Sequence, residues 1–386
     1  MKQFICIVFI AVFSLAASAQ SNAAHTRISV LTCGPGEDLY SLFGHTAIRV
    51  VDSVKHTDSV FNWGGFTFDQ SYFYLKFMRG KLIYYPVADD IDSFMGEYVY
   101  EHRSVYEQVL NLDSISKQKI IASIHFNMEG DNRFYKYDFL LDNCTTRVKN
   151  IILENSKGAS IPTRVVPKET TSRDLIHFYV ERGGEPWIEL GMDILLGQRV
   201  DRIVSNDEAM FVPEFLMKGL KFAKKDNAAF ANNPTLLLQG DPTQDPSNQY
   251  EPLIVLLIIS LGIFIITKLK SPTAKKITAF IDGLLIYVTG LLGILILFMW
   301  FGTDHTVCQD NFNLAWAFPL NFIVAFFMLR KAKWLSNYFF IMAVITAVFI
   351  ASWYWLPQQL NIALLPVIIL LLNRYIALAH LYNKPV

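Results

Sequence analysis

The sequence predicts an α+β domain exported across the membrane, followed by a bundle of five membrane helices. The prediction rests on a secretory leader at 1–19, a region at 27–232 that mixes short alternating apolar runs with helical periodicity, and five apolar runs within 253–381. With 52% hydrophobic residues and a mean hydropathy of +0.30, the 386-residue chain is too apolar to be wholly water-soluble. Its 34 basic and 34 acidic residues cancel and no basic block stands out, so nucleic acid is not an expected partner.

The leader has a positive start at Lys2, a short apolar core and the small-residue end Ala17-Ser18-Ala19, which reads as a signal peptide cut after Ala19. An uncleaved anchor is the alternative, and in either case the next segment is exported. No cysteine follows the cut, so the chain is not expected to be a lipoprotein itself. The mature chain keeps Cys33, Cys144 and Cys308, an odd number for an oxidising compartment. If two of them pair, Cys33 with Cys308 leaves Cys144 free, although nothing demands that bond.

Within the exported domain, 27–32 is strand-like and Gly34-Pro35-Gly36 punctuates it before a second β-prone run ending near Val51. Residues 69–79 read as a helix with an aromatic face, 105–110 alternate like a strand, and 114–128 repeat at helical spacing. The stretch 155–178 is polar, with Pro162 and Pro167. Two apolar pieces, 190–197 and 210–217, are read either as a wall against lipid or as an ordinary helix pair covering the core. Residues 233–252 read as a linker centred on Asp241-Pro242-Thr243-Gln244-Asp245-Pro246.

Five spans are expected at 253–267, 277–301, 314–329, 338–355 and 362–381. Lys268, Lys270, Lys275 and Lys276 fall between the first two, and Arg330, Lys331 and Lys333 between the third and fourth; the alternate loops 302–311 and 356–359 carry no Lys or Arg. The basic loops are therefore cytoplasmic, the 27–232 domain lies outside, and the C-terminus, near Arg374 and Lys384, lies inside.

The chemistry concentrates in two motifs. In Asp142-Asn143-Cys144-Thr145-Thr146-Arg147-Val148, apolar residues recur at helical spacing after Cys144, and Asp142 and Asn143 are N-cap types. A thiol that opens a helix feels the positive end of the dipole, which favours the thiolate. The base is His45 in Phe43-Gly44-His45-Thr46, at the start of a strand, and the neighbouring β-prone run Val60-Phe61-Asn62-Trp63 offers Asn62 to orient the imidazole. Cysteine on a helix end, histidine on one strand and a polar orienter on the next make a papain-like site. Arg147, one turn on, either binds a phosphate headgroup or faces solvent. The external loop Thr303-Asp304-His305-Thr306-Val307-Cys308 has too few ligands for zinc; it is expected to pack on the exported domain, with His305 a candidate for binding a headgroup or amine.

Gly44-His45 followed far downstream by Asn143-Cys144 resembles the circularly permuted papain-like order, shared by the lecithin:retinol acyltransferase type and permuted cell-wall peptidases. Ser41-Leu42-Phe43-Gly44-His45, then Tyr137-Asp138-Phe139 leading into Asp142-Asn143-Cys144-Thr145, with several spans behind, is similar more narrowly to the bacterial membrane-bound lipoprotein N-acyltransferases that use a cysteine. That resemblance implies a permuted papain-like fold in the inner membrane, facing the periplasm. It also implies acyl transfer from a phospholipid, through a thioester on Cys144, to the N-terminal amine of diacylglyceryl-cysteine lipoproteins. Such chemistry needs neither cofactor nor metal. Two other readings use the same residues: a membrane-tethered cysteine peptidase or amidase acting on peptidoglycan, and a catalytically silent lipid-binding protein.

Overall fold

The computed structural model describes residues 25–383 apart from 39, 68–71, 242–247 and 331, without the side chains of 73, 74 and 77. The leader, the centre of the expected linker, and Lys331 and Lys384 lie outside the described residues. The chain divides into two compact units, one of Met1–Thr170 with Ile203–Thr243, the other of Thr171–Arg202 with Gln244–Val386.

The first unit is a mixed α+β domain built on an antiparallel sheet. Its strands are β1 (Thr26–Cys33), β2 (His45–Asp52), β3 (Thr57–Gly65), β4 (Ile83–Asp90), β5 (Val105–Val109) and β6 (Tyr135–Lys136). Two-residue strands β7 (Ala159–Ser160), β8 (Lys224–Lys225) and β9 (Ala228–Ala229) form a small separate sheet, and β10 (Thr235–Leu238) completes the large one, in the order β10-β5-β1-β2-β3-β4-β6. β1 is an inner strand, and the alternation expected of a half-buried strand gives way to burial on both faces, with Ile28, Val30 and Leu31 fully enclosed. One face is covered by helix Ile91–Tyr100, whose Phe94 and Tyr98 pack with Leu31, Ala47, Val60 and Val105. Side chains alternate along a strand, so Thr46 points to the opposite face from Ala47, and there it meets Thr145 of helix Cys144–Glu154.

The expected strands at 27–32 and 105–110 and the helix at 114–128 appear as β1, β5 and Ser114–Met128, the helix capped by Asp113, which accepts from Ser116 N–H. Of the aromatic helix expected at 69–79, the described part is Phe73–Met78. Two segments differ from expectation. Thr235–Leu238, placed in the linker, pairs with β5 as an edge strand, because Leu236, Leu237 and Leu238 supply the β-compatible side chains that a Pro-poor stretch needs. The polar stretch up to Phe178 holds the start of helix Ser172–Arg182, with a capping box between Thr171 and Asp174.

That helix, with Pro186–Leu195, belongs to the second unit rather than to the exported domain as delimited from sequence. The two apolar pieces at 190–197 and 210–217 therefore part company: Leu190 packs into the core of the second unit, while Met210, Phe211, Val212 and Leu216 are core residues of the first.

The remaining helices of the second unit are Glu251–Lys268, Pro272–Phe301, Leu320–Leu329, Leu335–Ala351 and Leu365–Tyr382. Four segments, 251–268, 272–301, 306–329 and 362–382, are long and apolar enough to cross a membrane, and Leu335–Ala351 is a shorter apolar helix. Inside the bundle Asn321 donates to Thr289 (3.0 Å) and Tyr375 (2.7 Å) and accepts from Tyr338 (2.6 Å). Arg374, expected near the cytoplasmic end, forms a buried two-pronged ion pair with Asp282, at 2.7 and 2.9 Å. Where no water can satisfy a polar group, such pairs join helices that apolar packing alone would leave free to slide.

The loop around 303–311 packs on segment 194–199 of its own unit. Gly197 N–H donates to Val307 C=O, Asn311 donates to the carbonyls of Ile194 and Leu195, and Arg199 pairs with Asp310 at 2.9 Å. Beneath this contact lies a charged cluster. Arg173, fully buried, meets Asp201 through Nε (2.7 Å) and Nη2 (3.0 Å) and Asp193 through Nη1 (2.5 Å). Asp193 also takes His177 Nε2 (2.9 Å) and Asn361 Nδ2 (2.9 Å).

Candidate active site

The helix that begins at Cys144 starts there for a local reason. Asn143 is its N-cap, accepting from Thr146 N–H at 2.9 Å while Thr146 Oγ1 accepts from Asn143 N–H at 2.8 Å, a reciprocal capping box. The Asn143 carboxamide also donates to the carbonyls of Phe139 (2.8 Å) and Phe211 (3.0 Å), so the helix start is pinned from two directions. Upstream, Asp138 and Asp142 bridge backbone to backbone at 3.0 Å each way, and Asp138 Oδ1 accepts from the amides of Leu140 and Leu141. The turn delivers the chain to Cys144 with the sulfur at the positive end of the helix.

β2 brings the base. Gly44 sits at φ +79°, a conformation open to glycine, and a Cβ there would lie 2.5 Å from Cys33 C=O; the turn sets His45 as the first residue of β2, opposite Cys33 of β1. His45 hydrogen-bonds the Cys144 thiol, and Thr46 backbone N–H and the Thr145 hydroxyl (3.8 Å) face the same sulfur. Thr46 Oγ1 and Thr145 Oγ1 lie 3.0 Å apart, both buried, and tie the strand to the helix. These two threonines were not singled out from sequence, although each directly follows a singled-out residue.

Burial pushes the Cys144 thiol up, but the imidazolium charge, its hydrogen bond and the donors of Thr46 and Thr145 together outweigh it and bring the thiol down from 9.0 to about 7. For His45, burial acts to lower the pKa, and attraction to the thiolate with its hydrogen bond overcomes that and raises it. Cys33, one strand away, is the contrast: burial drives it to about 12, so it stays a thiol. Among the described cysteines Cys33, Cys144 and Cys308 are all free, and the disulfide considered between Cys33 and Cys308 does not form.

Alkylation of Cys144 by a soluble reagent is expected to rise with pH through about 7. In His45→Ala burial is opposed only by the donors of Thr46 and Thr145, and the midpoint moves up to the ordinary thiol value or above it. At neutral pH the variant should lose on the order of 50-fold in alkylation rate, because the thiolate fraction falls tenfold for each step in pKa. Equal rates in both proteins would separate the imidazole from the thiol.

Asn62 does not sit where the orienter was expected. It lies on β3 opposite Ala47, diagonal to His45, but its Oδ1 accepts from Gly64 N–H (3.2 Å) and its Nδ2 points to Asp89 Oδ2 (3.4 Å). The ladder between β3 and β4 is irregular between Asn62 and Gly65, and the carboxamide serves an amide within that irregular stretch. Gly64 is what lies against the imidazole: a Cβ there would come 2.9 Å from Cε1. Aromatic rings complete the surroundings. Tyr84 stacks on Tyr137 with centroids 4.6 Å apart, and burial, with the nearby thiolate second, keeps both hydroxyls protonated.

Arg147 is partly buried, and its contacts run back onto the turn before the helix. Its guanidinium grips Asp142 at 2.6 and 2.8 Å and stacks over Tyr135 at 3.7 Å, locking the turn that precedes the helix. His305 belongs to the second unit, where it holds the N-cap position of the 3-10 turn Thr306–Cys308 without a side-chain capping bond. One group of metal-ligating types stands out among the described residues, His177, Glu189 and Asp193, with ligand atoms within 4.8 Å of one another. The carboxylate of Asp193 is already taken by Arg173, His177 and Asn361, and a guanidinium on the shared oxygen opposes a cation, so the group reads as an ion-pair network.

Residues 14–175 match the family model described as the Lnb N-terminal periplasmic domain, and residues 244–385 the one described as the Lnb transmembrane domain. No curated protein and no solved structure matches the chain significantly.

Proposed function

We propose, from the premise that the chain belongs to the Lnb family and carries its N-terminal periplasmic domain and five-helix transmembrane domain, that it is a thiol acyltransferase of the inner membrane. It moves an acyl chain from a phospholipid to the N-terminal amine of lipoproteins, on a permuted papain-like site. The observation that carries this reading is a thiol held near neutral pKa by an imidazole at a helix start, in a domain tethered to the membrane where both substrates reside.

The Cys144 thiolate attacks the ester carbonyl of the phospholipid, and the carbonyl electrons collect on oxygen. The capping box uses the amides of Asn143 and Thr146, while those of Cys144 and Thr145 open the helix beside the sulfur and stabilise the oxyanion, each such donor contributing about 2.7–4 kcal/mol. As the tetrahedral adduct collapses, the lysophospholipid alkoxide leaves with the proton from His45, and a thioester remains on Cys144. The lipoprotein amine then attacks the thioester, His45 takes its proton, and the thiolate is expelled as the amide forms. Gly64 leaves room for the imidazole, and Asn62 acts at one remove, holding the Gly64 amide rather than the ring. Arg147 serves the turn before the nucleophile, and His305 is left without an assigned part in the two steps.

The test follows the acyl group. Purified protein incubated with acyl-labelled phospholipid and no acceptor is expected to carry the label on Cys144 in a form released by neutral hydroxylamine. A diacylated lipopeptide with a free α-amine should then discharge it into a hydroxylamine-resistant amide. Absence of the thioester, together with cleavage of a peptidoglycan fragment, would replace this reading with the peptidase one.

A further inference from the structure

Six of the large apolar side chains left exposed on the first unit lie at the end of the sheet that holds the thiol. His45 begins β2, Gly64 and Gly65 end β3, and Gly65 pairs with Tyr85 near the start of β4, so these residues share one end of the sheet. The connection from β3 to β4 lies at this end and carries Tyr72 (79% exposed), Leu75 and Met78. Ile83 opens β4 opposite Lys136 of β6, Phe134 stands just before β6, and Leu141 (63% exposed) tips the turn before Cys144. Lys81 and Lys136 are exposed among them. The next residue of β4, Tyr84, turns to the other face and stacks on Tyr137 in the field of the thiolate, so the strand that opens with Ile83 also lines the site.

The other end of the same strands differs in kind. The turn after β2 is Ser53-Val54-Lys55-His56, and β4 ends in Asp89 and Asp90. β10 pairs antiparallel with β5, Leu238 against Val105, and Val105 lies opposite Cys33. The chain therefore leaves the sheet, on its way to the first apolar helix in sequence, from the end that holds Cys33 and His45.

We propose that this end of the sheet is a membrane-docking face that sits in the phospholipid interface. Tyr72, Leu75, Met78, Ile83, Phe134 and Leu141 enter the acyl boundary, and Lys81 and Lys136 meet headgroup phosphates. A protein surface would be expected to match such a rim with shaped pockets, whereas scattered apolar side chains with interspersed lysines suit a fluid apolar layer under anionic groups. The inference rests on the transferase reading for its purpose: a docked face lets an ester carbonyl reach Cys144 without the acyl chain crossing water.

The test uses full-length protein in lipid nanodiscs, with Cys144→Ala to remove the reactive thiol. Cysteines introduced as Leu75→Cys, Phe134→Cys or Val54→Cys carry a bimane fluorophore, and the lipids carry a doxyl quencher high on the acyl chain. Labels at 75 and 134 are expected to lose most of their fluorescence relative to unlabelled lipid, and the label at 54, at the far end of the strands, to keep it. Labels at 75 and 134 that behave like the one at 54 would overturn the proposal. So would labels that remain bright in lipid and are shielded only when a lipoprotein is added, which would assign the face to a protein partner. In protein that retains Cys144, Leu75→Glu with Met78→Glu is expected to cut thioester formation from bilayer phospholipid roughly tenfold or more. Alkylation of Cys144 by a soluble reagent should be unchanged, which separates undocking from misfolding. If the unsubstituted protein forms no thioester at all, the transferase reading fails while the quenching result still decides the docking face.

Discussion

Cys144→Ala is expected to abolish acyl transfer while the protein accumulates in the membrane at its usual level. The loss should reach four orders of magnitude or more (~10⁴-fold), as for removal of a nucleophile that acts as one unit with its base. Cys144→Ser should fare little better, because a hydroxyl does not ionise beside an imidazole as a thiol does. Abundance is expected to hold because the sulfur bears little structural load. The helix start is kept by Asn143 and Thr146, and the strand-to-helix tie runs through Thr46 and Thr145. Quantitative mass spectrometry of a lipoprotein N-terminus in cells carrying each variant measures the activity, and membrane immunoblotting the abundance. Full acylation with Cys144→Ala would remove the nucleophile assignment, and disappearance of the protein would make Cys144 a structural thiol.

Arg173→Ala is expected to have the largest effect on stability. The guanidinium is fully buried between Asp193 and Asp201 and also donates to the carbonyls of Leu196 and Gly197. Removing one partner of such a pair leaves charge buried without a counter-charge, a loss of about 3–5 kcal/mol. That is a large fraction of a stability of about 5–15 kcal/mol. Asp193 is held besides by His177 and Asn361, and the adjoining carbonyls of Leu196 and Gly197 face the same side chain, so the damage should spread to the contacts of the 303–311 loop. The variant protein is expected to be depleted from membranes and, where recovered in detergent, to melt well below the parent. Arg173→Lys should rescue only in part, since an ammonium cannot grip Asp201 with two parallel bonds. An unchanged melting temperature for Arg173→Ala would show that the cluster holds nothing together.

The candidate nucleophile was legible because everything that marks it as one is local. An N-cap residue, a thiol and an apolar stripe within one short stretch set a helix start, and the dipole follows from the helix. His45 was legible for a similar reason, as a polar residue after a glycine at the head of a β-prone run. Neither motif shows which groups surround the sulfur, and Thr46 and Thr145 emerge only when β2 lies against the helix. Asn62 shows the limit more sharply. Strand alternation puts it on the correct face, but an irregular stretch of the β3–β4 ladder gives its carboxamide a nearer partner in Gly64. Arg147 likewise carries no mark in sequence that it will turn back onto Asp142 and Tyr135 rather than outwards.

By itself the sequence determined that an α+β domain precedes a series of apolar spans, and it marked Cys144 and His45 as a pair, since composition, periodicity and capping act over a few residues and survive without knowledge of the fold. Tertiary structure alone decided that segment 171–202 joins the membrane unit and that Thr235–Leu238 closes an edge of the sheet. It alone decided, too, that Arg173 is neutralised by Asp193 and Asp201, carboxylates 20 and 28 residues away. The cost of burying a charge depends on what the whole fold packs around it, and no local pattern of residues encodes that.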